Sequence, residues 1–269
     1  MRVTNFRNYR VVGELGGGLF EAEHTVLPRR AILKTVPDAL AWVKPLRVAV
    51  MREACILEAL QHPGIVRLFE TGLCDDGRPW FAYEDVDGTA LSDLRRPLGL
   101  AELVGLVRDL CDILEHAHRR GIIHDGLHPD RILLTDRAFP IVIDDWSTAR
   151  PHDAPAAIPS LPRPDARRYL APELAHGDPI DDRADVYALG MIAKAQLPSA
   201  APRALALLLD QMTAPDRWDR PAISEVRLAL ETIPVALLRP RWTPPFGVAA
   251  RSDDAEELTQ EDVVLVELS

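Results

Sequence analysis

Hydrophobic and polar positions come in short bursts over the first third of the chain and settle into a helical period over the rest. Residues 9–15 predict a strand that runs into Gly16-Gly17-Gly18, with a second strand after the glycines and a third at Ala31-Ile32-Leu33. That order predicts an antiparallel meander. Residues 48–60 carry apolar side chains at helical spacing and stop at His62-Pro63-Gly64. Residues 65–69 and 80–86 predict two more strands around the turn Asp75-Asp76-Gly77.

Beyond this point the chain is mainly helical. Leu103, Leu106, Val107, Leu110, Ile113, Leu114 and Ala117 share one face of a helix of about five turns. A loop rich in His, Asp and Pro occupies 124–131, and the apolar runs 132–134 and 141–143 predict a small hairpin. Residues 150–164 are proline-rich without a hydrophobic pattern, so an exposed loop is expected. Helices return at 185–197, 203–212 and 223–230; after Thr232 the chain turns proline-rich and then acidic.

The 269 residues, 47% hydrophobic and 27% charged, hold enough apolar material for a large core. The net charge of −10 argues against nucleic acid or an anionic membrane as a partner. Six of those negative charges fall in the last 19 residues, an acidic tail on a nearly neutral body. Cys55, Cys74 and Cys111 are too few and too scattered for a disulfide framework or a zinc site, and Cys55 and Cys111 read as core side chains. The N-terminus lacks the apolar stretch of a signal peptide, and no apolar run reaches about 18 residues. A cytoplasmic location is expected.

Candidate chemistry lies in segments whose order is informative. Lys34 is one of only three lysines and ends the run AILK. Glu53 follows in REACILEALQHPGIVRL, then AHRRGIIHDGLHPDRILL, IVIDDWSTAR, RRYLAPELAHG, ADVYALG and WDRPA. From about Tyr9 to Glu231 this succession resembles the protein kinases, most closely the bacterial serine/threonine kinases. The resemblance implies an α+β bilobal fold with a small antiparallel-sheet N-lobe (1–86) and a mainly helical, truncated C-lobe (87–233). A proline-rich, then acidic tail (234–269) follows. Only 35 positions separate Asp185 from Arg220, and the family's helix between them is expected to be missing.

The resemblance also implies roles. Lys34 takes the place of the lysine that holds the α- and β-phosphates, and Glu53 that of its helix partner. Asp145 takes the place of the metal-binding aspartate, while Gly16, Gly18, Glu84 and Val86 line the nucleotide. Leu57 and Leu68 match buried residues stacked behind the site. Asp185 matches the anchor of the catalytic-loop backbone, and Arg220 the partner of Glu173 in Ala171-Pro172-Glu173. The family loop H-R-D-x-K-P-x-N reads here His124-Asp125-Gly126-Leu127-His128-Pro129-Asp130-Arg131. The base position is therefore Gly126, His128 replaces the lysine at the transferring phosphate, and Arg131 replaces the asparagine of the second magnesium.

Asp125, one position early, is expected to point away from a substrate; Asp130 lies next to the lost metal ligand. Other departures are a glycine loop about one residue short, Glu21 near the phosphates, Ile32 over the adenine, and Trp146-Ser147 after Asp145. Ala166 stands for a threonine that contacts the base, and Ser160 is the one hydroxyl between Arg150 and Arg168. The split between kept scaffold and lost chemistry implies a pseudokinase, a regulatory or scaffolding module that binds protein partners. ATP is its possible ligand, and magnesium is expected to bind poorly. The alternative is an active, divergent ATP-dependent serine/threonine kinase in which Asp125 or Asp130 takes over. Trp242, Phe246 and the run Val263-Val264-Leu265-Val266 mark the tail as a segment that docks on its own domain or on a partner.

Overall fold

A computed structural model describes residues 6–152, 154, 168–176 and 179–233. The first third folds into a five-stranded antiparallel sheet: β1 (Tyr9–Gly16), β2 (Leu19–His24), β3 (Arg30–Thr35), β4 (Leu68–Leu73) and β5 (Pro79–Glu84), in spatial order β1-β2-β3-β5-β4. Helix α1 (Lys44–Ala59) packs across it through Val50, Ala54, Ile56 and Leu57. Phe6, Tyr9, Leu33 and Trp80 fill a smaller cluster of their own.

Three sequence expectations fail in this half. The strand expected at 65–69 starts only at Leu68, because Ile65 is drawn out of the sheet. It bridges Ile143, and the Gly64 carbonyl accepts from Ile143 N at 2.9 Å. Ile65 and Val66 are buried there, joining the sheet to the helical half, while Leu68 is only half-buried and so not the buried residue expected. Cys55 is exposed, since the buried arc of α1 passes through 50, 53, 54, 56 and 57; Cys74 is the buried thiol of this half.

The helical half is built on α2 (Leu100–His118), whose start is capped by the Glu102 carboxylate accepting from Gly99 N at 2.8 Å. Next come β7 (Ile122–Ile123), the hairpin β8–β9 (Ile132–Leu134 and Ile141–Ile143), β10 (Arg150–Pro151), α3 (Pro172–His176), α4 (Arg183–Ala195), α5 (Arg203–Met212) and α6 (Ile223–Glu231). The short β6 (Thr89–Ala90) adds to β8. Helix α4 passes into α5 through residues 196–202, with no helix between them. Of the exposed loop expected at 150–164, residues 153 and 155–164 lie outside the described residues, and its first residue departs from the expectation. Arg150 is buried, because β10 pairs with β7, Arg150 opposite Ile123. Ser160, Ala166, Trp242, Phe246, Val263 to Val266 and the whole of 234–269 lie outside the described residues.

The Glu173–Arg220 pair ties the helices together. The guanidinium grips both carboxylate oxygens at 2.7 and 2.8 Å and also donates to the carbonyls of Ala214, Pro215 and Arg183. The Arg220 side chain is wholly buried, so every donor must be satisfied inside the protein. Removing it leaves Glu173 charged and buried, which costs about 3–5 kcal/mol. Arg220→Met is therefore expected to lower the unfolding free energy in urea by about 3–5 kcal/mol; a loss under about 1 kcal/mol would contradict this packing.

Candidate active site

The glycine cluster makes a two-residue hairpin turn. Gly16 pairs with Leu19 across Gly17 and Gly18, all three glycines having φ between 59° and 83°. This is the left-handed backbone that such a turn demands and that side chains resist. The Gly18 carbonyl accepts from Thr35 N at 2.9 Å, and a Cβ on Gly18 would run into the Thr35 carbonyl. The turn thus lies against the end of β3.

Behind the turn, β3 presents Lys34 to α1 and to the segment after β9. Lys34 Nζ lies 2.8 Å from Glu53 and 3.4 Å from Asp145. Glu53 is 3% exposed, so its charge depends on this lysine. Asp145 Oδ1 also accepts from Ser147 N at 3.0 Å. Lysine, helix carboxylate and loop carboxylate meet as the sequence implied.

Beside them Leu15, Leu19, Ile32, Tyr83, Val86 and Leu133 line a small, partly open cleft. Glu84 is on its wall, but its carboxylate turns to Arg137 at 2.8 Å. Ile32 is buried over this cavity, and Arg131 reaches Asp144 at 3.5 Å across its floor. Crowding is local: a second cavity of about 550 Å³ opens behind Leu57 and Leu68, beside Leu60, His62 and Phe139. Glu84, Val86 and Arg131, with Asp144, line the first, narrow cleft. Glu21 lies within the hairpin, its carboxylate against Gly13.

The catalytic-loop positions are held by Asp185, which is fully buried. Its carboxylate accepts from the backbone of His124 at 2.8 Å and of Asp125 at 2.9 Å, and from His118 Nε2 at 2.8 Å. Burial works against the Asp185 charge, but these donors hold its carboxyl below the usual range. Burial likewise lowers the basicity of His118, yet Asp185 raises it overall.

Gly126 sits under Thr148. A Cβ there would lie 3.0 Å from Thr148 Cβ and Cγ2 and closer still to Oγ1, while that hydroxyl donates to the His124 carbonyl at 2.9 Å. His128 is buried edge-on to Tyr169, ring centroids 5.0 Å apart, and its Nδ1 accepts from Asp130 N. Asp130 is exposed and sits 3.3 Å from His128. Asp125, in the left-handed region at φ 55°, turns to Arg150 at 3.0 Å. Burial, opposed by Arg150 and reinforced by Asp185, pushes its carboxyl up to about 7.

Lys34, Glu53 and Asp145 thus share one cluster; Gly126, His128 and Arg131 are built into separate packing contacts. Sequence reasoning missed Thr148, Asp144, His118, Arg150 and Arg52. Each is an ordinary residue whose role appears only when the loop folds back, although the unusual Asp125 signalled that a cation would be near it.

Residues 16–204 match the protein kinase domain family. The chain is 32% identical to serine/threonine-protein kinase Pkn1 of Myxococcus xanthus over 204 residues, 72% of this chain and 29% of that protein. It is 30% identical to PknJ of Mycobacterium tuberculosis over 206 residues, 73% of this chain and 35% of that protein. It therefore spans about a third of the length of these curated relatives. The crystal structure of the Mycobacterium tuberculosis PknI kinase domain superposes with a TM-score of 0.65 at 27% identity, covering 84% of this chain and 96% of that one. The chain belongs to the protein kinase family and is similar to its bacterial serine/threonine members.

The raised Asp125 carboxyl has a measurable consequence. Native protein takes up a proton at about 7 that the unfolded chain takes up only near 4. This contribution to stability is complete at low pH and is lost as pH rises through about 7. Urea unfolding at pH 8 and pH 5 is expected to show a larger gain on acidification for wild type than for Asp125→Asn. Parallel pH profiles would contradict the assignment.

Proposed function

We propose that this chain is a pseudokinase, a kinase-fold domain that transfers no phosphate and works as a regulatory or scaffolding module for protein partners. The observation that carries the reading is the packing at Gly126. The position that holds the base in relatives has no side chain, and the volume a side chain would need belongs to Thr148, locked by its hydrogen bond to His124. General-base chemistry requires a group within hydrogen-bond reach of the substrate proton. Neither nearby carboxylate supplies one: Asp125 is committed to Arg150, and Asp130 is exposed beside His128.

The cleft supports the same reading. The cleft is narrow, and Arg131, paired with Asp144 at 3.5 Å, lies on its wall. Magnesium would find Asp145 already engaged by Lys34 and Ser147 N, and a cation at the second position. A protein partner suits a chain of net charge −10 better than nucleic acid or an anionic membrane does. Among the described residues no helix is long and apolar enough to cross a membrane. We place the domain in the cytoplasm as a signalling scaffold, with 234–269 as a possible partner segment.

One observation favours the alternative, an active divergent serine/threonine kinase. Lys34 still bridges Glu53 and Asp145, the arrangement that positions phosphates in active relatives. Incubation of the full chain with labelled ATP, magnesium and an acceptor protein separates the two. No transfer above the Asp145→Ala level is expected; transfer that Asp145→Ala abolishes would overturn the proposal. The packing has its own test. Gly126→Asp is expected to destabilise the fold by about 1–3 kcal/mol through overpacking, and adding Thr148→Gly to recover most of the loss. A neutral Gly126→Asp would contradict it.

A further inference from the structure

Helix α1 has a second face. Val50, Glu53, Ala54, Ile56 and Leu57 are buried against the rest of the protein, whereas Lys44, Val48, Met51, Cys55 and Glu58 are exposed, Val48 at 65% and Met51 at 40%. The exposed positions are spaced by four, three, four and three residues, the repeat of a seam along which one helix packs on another. Arg47 and Arg52 flank this stripe but are engaged within the chain, by the carbonyls of Gly77 and Ser147. The charges at the two ends suit α1 badly. Lys44 opens the helix, where the dipole favours an anion, and Glu58 stands in its last turn, where the dipole favours a cation. Neither has an ion pair among the described residues.

We propose that this face of α1 is the interface of a symmetric dimer, in which α1 packs antiparallel on α1 of a second copy of the chain. The stripe is self-complementary about Met51. Lys44 meets the partner's Glu58, Val48 meets the partner's Cys55, Met51 meets the partner's Met51, and the same contacts repeat in reverse, as a two-fold axis requires. Each misplaced charge then lies beside the end of the partner helix whose dipole it suits. From Lys44 to Glu58 the seam is about 21 Å long at 1.5 Å per residue, short enough that the dimer is a reversible one. Glu53, which holds Lys34, is on the opposite, buried arc, so the interface stands whether or not the domain transfers phosphate.

Sedimentation velocity of the full chain in reducing buffer, from about 1 to about 100 μM, is expected to show a reversible monomer–dimer equilibrium. Met51→Glu sets two carboxylates against each other at the centre and is expected to weaken it at least about tenfold. Lys44→Glu is expected to weaken it as well, and Lys44→Glu combined with Glu58→Lys to restore it, since the swap keeps the pairing complementary. Register has a separate readout. Under a copper–phenanthroline oxidant, Val48→Cys is expected to give a disulfide-linked dimer that Cys55→Ser abolishes. Wild type is expected to give none, its two Cys55 residues being about 11 Å apart along the seam. A chain that stays monomeric throughout would overturn the proposal and leave the face to a helix of another protein. So would a dimer untouched by Met51→Glu, a charge swap that restores nothing, or a wild-type cross-link through Cys55.

Discussion

The Asp185 carboxylate is the constraint on which the rest of this molecule hangs. It is wholly buried, it is charged, and it is tolerated because His118 and two backbone amides of the 124–125 turn all donate to it. That one group fixes α2 against α4 and sets the path of the loop carrying Asp125 and Gly126. The left-handed backbone at Asp125, the contact of Thr148 with Gly126 and the burial of Arg150 follow from that path. The Glu173–Arg220 pair does the same for α3 and α4 at the other end of the helical half.

These anchors stand where the protein kinase resemblance puts them, and the Lys34–Glu53–Asp145 cluster stands with them, whereas three loop positions carry other residue types. Gly126, His128 and Arg131 are not gaps in the structure. Each has been absorbed into a local contact, with Thr148, Tyr169 and Asp144 respectively. A buried polar group without a partner is costly, and at these positions Thr148 and Asp144 hydrogen-bond or pair within the loop. In the Lys34–Glu53–Asp145 cluster one ammonium serves two carboxylates, so the site keeps one net negative charge.

The fold was legible where period and spacing carry the signal: the antiparallel strands, α1, α2, the β8–β9 hairpin and the direct passage from α4 to α5. It was misread where a short apolar run serves two neighbours. Ile65 satisfies strand spacing yet bridges to Ile143, and Cys55 satisfies helical spacing from the wrong side of α1. The departures from the family loop were visible in the loop residues themselves. What replaced it was not, because Thr148 over Gly126 and Arg131 on Asp144 are contacts made by folding, between ordinary residue types. The charge swap at Asp125 lay between these cases: the missing arginine could be read, but its buried partner Arg150 fell where an exposed loop was expected.

The proposed reading is of a chain that keeps the kinase frame but takes no nucleotide into its narrow cleft. The most direct test is thermal unfolding of the full chain with millimolar ATP, with and without magnesium, beside an Asp145→Ala variant. A ligand of the folded state present at 100 times its dissociation constant adds about 2.7 kcal/mol, a shift of several degrees. No shift in either condition is the predicted result. A magnesium-dependent shift that disappears in Asp145→Ala would contradict the account.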